Sequence, residues 1–228
     1  MSIGYNPSIP TSGLILCLDA GNRRSYPGSG TAWYDASTTN PASTLVNGPT
    51  YSSANLGTIT FDGINDYASS SITAGFTGAM TVITFGKSTN ATWNNWAGLG
   101  SARVGNGYII HNDSGNTTTT YYVLSSAGTY YAIGTVSPSN IQNYNMYAVS
   151  TNGSNLHKGY LNGALVNTDT TAITRTNTGS AQSTYLGLDD GLGRYNALSI
   201  TYHAIYNTQL SDSQISQVYQ ALRGRYGI

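Results

Sequence analysis

Glutamate is absent from this chain, so any carboxylate chemistry must come from its nine aspartates. Charge is scarce altogether: 8% of the 228 residues are charged, nine Lys plus Arg against nine Asp, and no basic cluster marks a nucleic-acid footprint. Cysteine occurs once, as Cys17, so no internal disulfide can form, which suits folding in a reducing cytoplasm. No apolar run approaches the roughly 20 residues that span a bilayer, so membrane insertion is not expected. The first twelve residues lack the basic start and apolar core of a secretory signal, so standard secretion is not expected either. What is present is 39% hydrophobic residues and nineteen tyrosines among many threonines, material for a packed core between pleated surfaces.

Residues 1–12, with Pro7 and Pro10, read as an extended arm, and 13–228 as one domain without a composition break. Leu14 to Leu18 is apolar on both faces of a period-two pattern, as in a strand covered on both sides. Residues 23–57 read as a long irregular excursion. From Thr58 to Ser69 the pattern is strand, tight corner, strand, with Asp62-Gly63 and Asn65-Asp66 supplying the turn. Further β runs are expected at 79–85, 108–111, 121–124, 130–133, 145–150, 184–188 and 198–206, the last with Ile200, Tyr202, Ala204 and Tyr206 on one face. Asn162-Gly163 between two such runs predicts a type I′ hairpin. One helix is expected after Ser211, with Gln214 completing a capping box and Ile215, Val218, Tyr219 and Leu222 forming its apolar stripe. Gly224 stops that helix, and Arg223 and Arg225 suit its negative end.

Five ordered motifs carry a resemblance: Gly-Leu-Ile-Leu-Cys-Leu-Asp-Ala-Gly-Asn at 13–22, Phe-Asp-Gly-Ile-Asn-Asp-Tyr at 61–67, Gly-Tyr-Leu-Asn-Gly at 159–163, Tyr-Leu-Gly at 185–187, and Tyr-His-Ala-Ile-Tyr-Asn-Thr-Gln-Leu-Ser at 202–211. Together they resemble the laminin-G-like, concanavalin A-like superfamily, which implies an all-β antiparallel jelly-roll β-sandwich with one short C-terminal helix. Ser25-Tyr-Pro-Gly-Ser-Gly30, Asn47-Gly-Pro-Thr-Tyr51 and Gly224-Arg-Tyr-Gly-Ile228 narrow the resemblance to the version found in structural proteins of tailed bacteriophages.

Glycosidases among jelly-roll proteins use paired carboxylates, normally glutamates. Here every aspartate falls at an expected strand end, turn or helix start, so turn capping is preferred to catalysis and no catalytic residue is assigned. Asp19, Asp62 and Asp66 could offer oxygen ligands to calcium, but their spacing is unspecific and capping is again preferred. His111, His157 and His203 are isolated, and no metal or cofactor is expected. The candidate binding residues are aromatic: Trp93 and Trp96 with Asn94 and Asn95 between them, and Trp33 and Tyr34 in the excursion. Flat rings beside amides suit a sugar or a protein interface, although core packing is the commoner fate of a tryptophan in a β-sandwich.

The resemblance and this inventory imply a non-enzymatic structural protein on the virion surface, a capsid decoration or fibre component that folds in the host cytoplasm. Its expected partners are capsid or tail subunits and further copies of itself, with surface glycans as additional ligands. The alternative reading is a lectin-like adhesin module that recognises host or environmental glycans.

Overall fold

The computed structural model describes residues 8–54, 57–73, 75–76, 78–92, 98–103, 105–113, 115–176, 181–189 and 191–225. Strands are numbered in chain order. One sheet holds β1 (Leu14–Asp19), β4 (Thr50–Ser52), β5 (Thr58–Asp62), β7 (Met80–Ser88), β12 (Asn145–Thr151), β13 (His157–Leu161), β14 (Ala164–Asp169) and β18 (Ala197–Tyr206). The second holds β2 (Ala32–Trp33), β3 (Ser43–Val46), β6 (Tyr67–Ile72), β8 (Gly98–Ala102), β9 (Tyr108–Asn112), β10 (Thr119–Leu124), β11 (Tyr130–Val136) and β15 (Gln182–Leu186). A small hairpin, β16 (Leu188–Asp189) with β17 (Arg194–Tyr195), stands apart, and the helix α1 spans Asp212–Arg223. The first sheet runs β14, β13, β12, β7, β18, β5, β4, with β1 also on β18; the second runs β11, β10, β9, β8, β15, β6, β3, β2. The result is the expected antiparallel β-sandwich.

Two apolar layers follow. Between the sheets lie Trp33, Phe61, Val82, Tyr108, Tyr121, Tyr147 and Ile200, all buried. On the outer face of the first sheet, Ile83, Phe85, Met146, Tyr160, Tyr202, Ala204 and Tyr206 pack beneath Ile215, Val218, Ala221 and Leu222 of α1. Strand β18 serves both layers. Ile200 pairs with Gly86 and Tyr202 with Phe85, so Thr201 is an extra residue that resets the alternation. The expectation of Ile200 on the same face as Tyr202, Ala204 and Tyr206 is thereby corrected: Ile200 faces the second sheet and the other three face the helix.

Local chemistry explains the other joints. The corner after β5 does not close a hairpin; it carries the chain from the first sheet to the second. Asp62 Oδ1 accepts from the amides of Ile64 (2.8 Å), Asn65 (3.3 Å) and Asp66 (3.4 Å), and Asp66 Oδ2 accepts from the Asp62 amide at 3.2 Å. Those amides, Ile64 first, hold the Asp62 carboxyl below its ordinary pKa, whereas burial pushes Asp66 up. Asn162 and Gly163 both have positive φ (51° and 79°), as a type I′ turn requires, and a Cβ on Gly163 would lie 2.8 Å from Cβ of Tyr219 in α1. Ser211 and Gln214 form the capping box, and the Tyr219 ring stacks on Phe85 at 6.3 Å. Gly224 ends the helix in a right-handed conformation, and Arg225 donates twice to Asp19, at 2.7 and 2.9 Å. Within the arm, Ser8 O accepts from Gln217 of α1 and Pro10 O from Tyr206 Oη, so this part docks on the chain's own helix side.

The excursion at 23–57 is more ordered than expected, since it contributes the short strands β2, β3 and β4, of which β2 and β4 lie at sheet edges. The buried Asp35 anchors it by accepting five bonds: from the amides of Cys17, Ser37, Thr39 and Asn40, and from Ser37 Oγ. Cys17 is itself buried, its Sγ donates to Tyr202 Oη at 3.8 Å, and burial pushes its pKa up to about 12.

Two buried basic side chains, Arg175 and His203, are met by backbone carbonyls and a hydroxyl. Arg175 threads its guanidinium among backbone carbonyls, donating to Gly78 (2.9 Å), Gly107 (2.9 Å), Leu124 (2.6 Å) and Asn106, and burial pulls its pKa down to about 9. His203 lies between the sheets, with Thr84 Oγ1 at 2.9 Å from Nδ1, and burial lowers its pKa to about 3. Replacing Arg175 by Met would strand those carbonyls and should cost about 3 kcal/mol or more, read from the urea midpoint. Burial also lowers His157, so the unfolded chain binds more protons than the folded one at acid pH. Stability should therefore be present in full above about pH 6.5 and fall by on the order of a few kcal/mol as pH drops toward 3, whereas a flat profile would exclude a buried neutral His203.

Candidate functional site

Of the sequence candidates, Trp93, Asn94, Asn95 and Trp96 lie outside the described residues. Trp33 is fully buried in the inter-sheet core, which corrects its assignment as a ligand-facing ring. Tyr34 is 49% exposed at the β2 edge of the second sheet.

A different cluster occupies the outer face of that sheet. Direct cross-strand pairs share a face, and Tyr122 pairs with Ile109, Ile109 with Ser101, Ser101 with Tyr185, and Tyr185 with Ser69. Their chain neighbours Tyr121, Val123, Tyr108 and Ile110 fill the inter-sheet core, so this row points outward. The tyrosine doublets split accordingly: Tyr121 and Tyr131 pack inward, while Tyr122 faces out and Tyr130 is 46% exposed.

The β16–β17 hairpin roofs the middle of this face. Ser101 Oγ donates to Leu188 O at 2.8 Å, and Arg103 clasps the fully buried Asp189 with two donors, Nε to Oδ1 and Nη2 to Oδ2. On one side of the roof, the Tyr67 ring lies 6.1 Å from Tyr185 and 6.2 Å from Tyr195. On the other side opens a cleft of about 200 Å³ lined by Arg103, Ile109, His111, Tyr122 and Tyr130. Arg103 Nη1 donates to Tyr130 Oη at 2.8 Å, and its guanidinium carbon lies 5.1 Å from that ring's centre. The His111 and Tyr122 rings are 6.1 Å apart.

Burial alone would lower the Arg103 pKa, but the bonds to Asp189 and Tyr130 outweigh it and the group stays charged. Burial lowers His111, against the pull of Asp189 and Asp113, so its imidazole is neutral near pH 7. A broader hollow of about 490 Å³ lies at the start of α1, lined by Lys158 and 209–214. Its polar groups are engaged, because Ser211 and Gln214 cap each other while Asp212 accepts from Lys158 and Tyr160, and no aromatic ring lines it. The smaller cleft is the stronger candidate for a binding site. Tyr34, beside β2, lies four strands from β8 at the near side of the cleft, about 19 Å at about 4.8 Å per strand, and does not line it. Asp19, Asp62 and Asp66 are engaged by Arg225 and by backbone amides, and no group of three or more His, Cys or Asp side chains suited to a metal occurs among the described residues.

Compared by sequence, the chain matches no protein-family model and no curated protein at a significant level. Solved structures do match its fold. The ligand-binding domain of botulinum neurotoxin serotype D, solved with N-acetylneuraminic acid, superposes with a TM-score of 0.66 at 14% identity over 92% of this chain and 51% of that one. Domain 4 of an extracellular arabinanase from Geobacillus stearothermophilus, solved with arabinotriose, gives 0.66 at 14% identity over 91% and 98%. A Trypanosoma rangeli sialidase solved with sialic acid gives 0.65 at 13% over 96% and 34%. The chain spans about half the length of the neurotoxin structures it matches. At such identities the likeness establishes the fold alone, a jelly-roll β-sandwich.

Removing the Arg103 side chain would strand a buried carboxylate. Arg103→Ala should cost about 3 kcal/mol in thermal unfolding, and Arg103→Met with Asp189→Leu should recover most of it; an unchanged melting temperature in the single variant would show that the pair does not hold the roof.

Proposed function

We propose that the chain is a non-catalytic, lectin-like carbohydrate-binding module whose sugar site is the cleft between Tyr122 and Tyr130. The observation that carries this reading is the cleft itself: two partly exposed tyrosine rings and a neutral imidazole surround a fixed guanidinium on the outer face of a sheet. Aromatic faces take the apolar C–H side of a pyranose, and a few convergent polar groups orient its hydroxyls. The fold is shared with domains solved with arabinotriose and with N-acetylneuraminic acid, which supports the same use. Asp189, the carboxylate bonded to the cleft's Arg103, is buried and fully engaged, a poor arrangement for an acid or nucleophile, which supports binding without turnover.

Display on a phage particle, with capsid or tail subunits and further copies of the chain as partners, rests on the sequence resemblance alone. The structural neighbours favour glycan recognition as the primary activity. A glycan array followed by calorimetry on the full chain tests this. Tyr122→Ala and Tyr130→Ala should each weaken binding at least about tenfold with the melting temperature unchanged. Binding that survives both substitutions would remove the site from this cleft, and a chain that binds no glycan would sink the reading.

A further inference from the structure

Resting on that reading, we infer that the cleft selects a neutral saccharide and discriminates against acidic sugars, because its one cation is already neutralised from within the fold. The Arg103 side chain is 12% exposed and that of Asp189 is 0% exposed, so the carboxylate is part of the wall and inaccessible to exchange with solvent. Both carboxylate oxygens take Arg103 donors, the fork geometry with which an acidic ligand would otherwise be gripped. An incoming carboxylate would have to compete with this internal one, and would bring like charge close to it in a partly buried place.

The wider surroundings supply no excess positive charge. The charged groups that act on His111 are Asp189, Asp113, Arg103 and Arg194, two of each sign, and burial keeps the imidazole neutral near pH 7. No lysine lines the cleft. Electrostatic recruitment of an anion, which needs an unbalanced positive field, is therefore missing among the described residues.

What the cleft does present suits hydroxyls. Tyr130 Oη accepts from Arg103, which directs its own proton outward as a donor to a sugar oxygen. The partly exposed rings of Tyr122 and Tyr130 offer apolar faces on either side of that donor. The cleft, about 200 Å³, is sized for a single sugar ring with its neighbours outside.

The test uses the full chain and pairs of oligosaccharides that differ only in a terminal carboxylate, glucose against glucuronic acid and galactose against galacturonic acid, together with sialylated and desialylated forms of one glycan. The neutral member should bind, the acidic member at least about tenfold more weakly, and affinity for the neutral member should not rise as salt is lowered. Asp189→Asn, which removes the internal carboxylate, should gain affinity for acidic members and acquire a salt dependence. If that variant fails to fold, the wild-type pairs decide the matter alone. Equal or tighter binding of an acidic member that Tyr122→Ala abolishes would overturn neutral selectivity while leaving the glycan site in place. Absence of binding to every member would overturn both readings.

Discussion

Strand β18 has to satisfy three partner strands and two apolar layers at once, and the single unpaired residue Thr201 makes this possible. Before it, Leu198 and Ile200 close the space between the sheets, and β5 pairs along the same stretch. After it, Tyr202, Ala204 and Tyr206 turn toward α1, and β1 takes over the edge from β5. The Thr201 carbonyl, out of step with the ladder, accepts from the Ala20 amide at 2.9 Å, so the bulge leaves no stranded acceptor there. Without that reset, a strict alternation would send three side chains meant for the helix into a space already filled by Tyr108, Tyr121 and Tyr147.

Charge is so scarce in this chain that the treatment of its buried and half-buried ionic groups is visible one by one. Asp35 is surrounded by donors from its own loop and from β1, Arg175 by carbonyls, Asp189 by Arg103, and Asp19 by Arg225. Each joins segments far apart in sequence, 86 residues in the case of Arg103 and Asp189. Isolated charges of this kind fix geometry more than they add stability, because desolvation offsets most of the Coulomb attraction. The cleft inherits that rigidity: one wall is the roof that Asp189 anchors, and its polar centre is the guanidinium that holds the anchor.

Features set by neighbouring residues were legible in the sequence. Ser211 with Gln214, Asn162 with Gly163, and Asp62 facing its own following amides each carry their geometry within a few positions. Features set by what meets across the sandwich were not. The corner at 62–66 reads the same whether it closes a hairpin or changes sheets, and nothing local marks Thr201 as unpaired. Trp33 illustrates the difficulty, since a tryptophan amid Gly, Ser and Thr suits a rim as well as a core, and only the packing of the two sheets buries it. The cleft residues gave one available signal, the doublets Tyr121-Tyr122 and Tyr130-Tyr131, which in a strand must send one ring to each face. Which ring emerges, and that Arg103 would meet it, depends on the pairing of β8 to β11 and on a two-residue strand too short to recognise.

The thiol of Cys17 has a consequence for handling the protein. It is buried, hydrogen-bonded to a tyrosine and held protonated far above neutral pH, so it offers almost no thiolate to alkylating reagents or to disulfide exchange. It is also the only sulfhydryl in the chain. A cysteine introduced at an exposed position would then be the sole reactive nucleophile of its kind, and a fluorophore or spin label could be attached there without first removing the native residue.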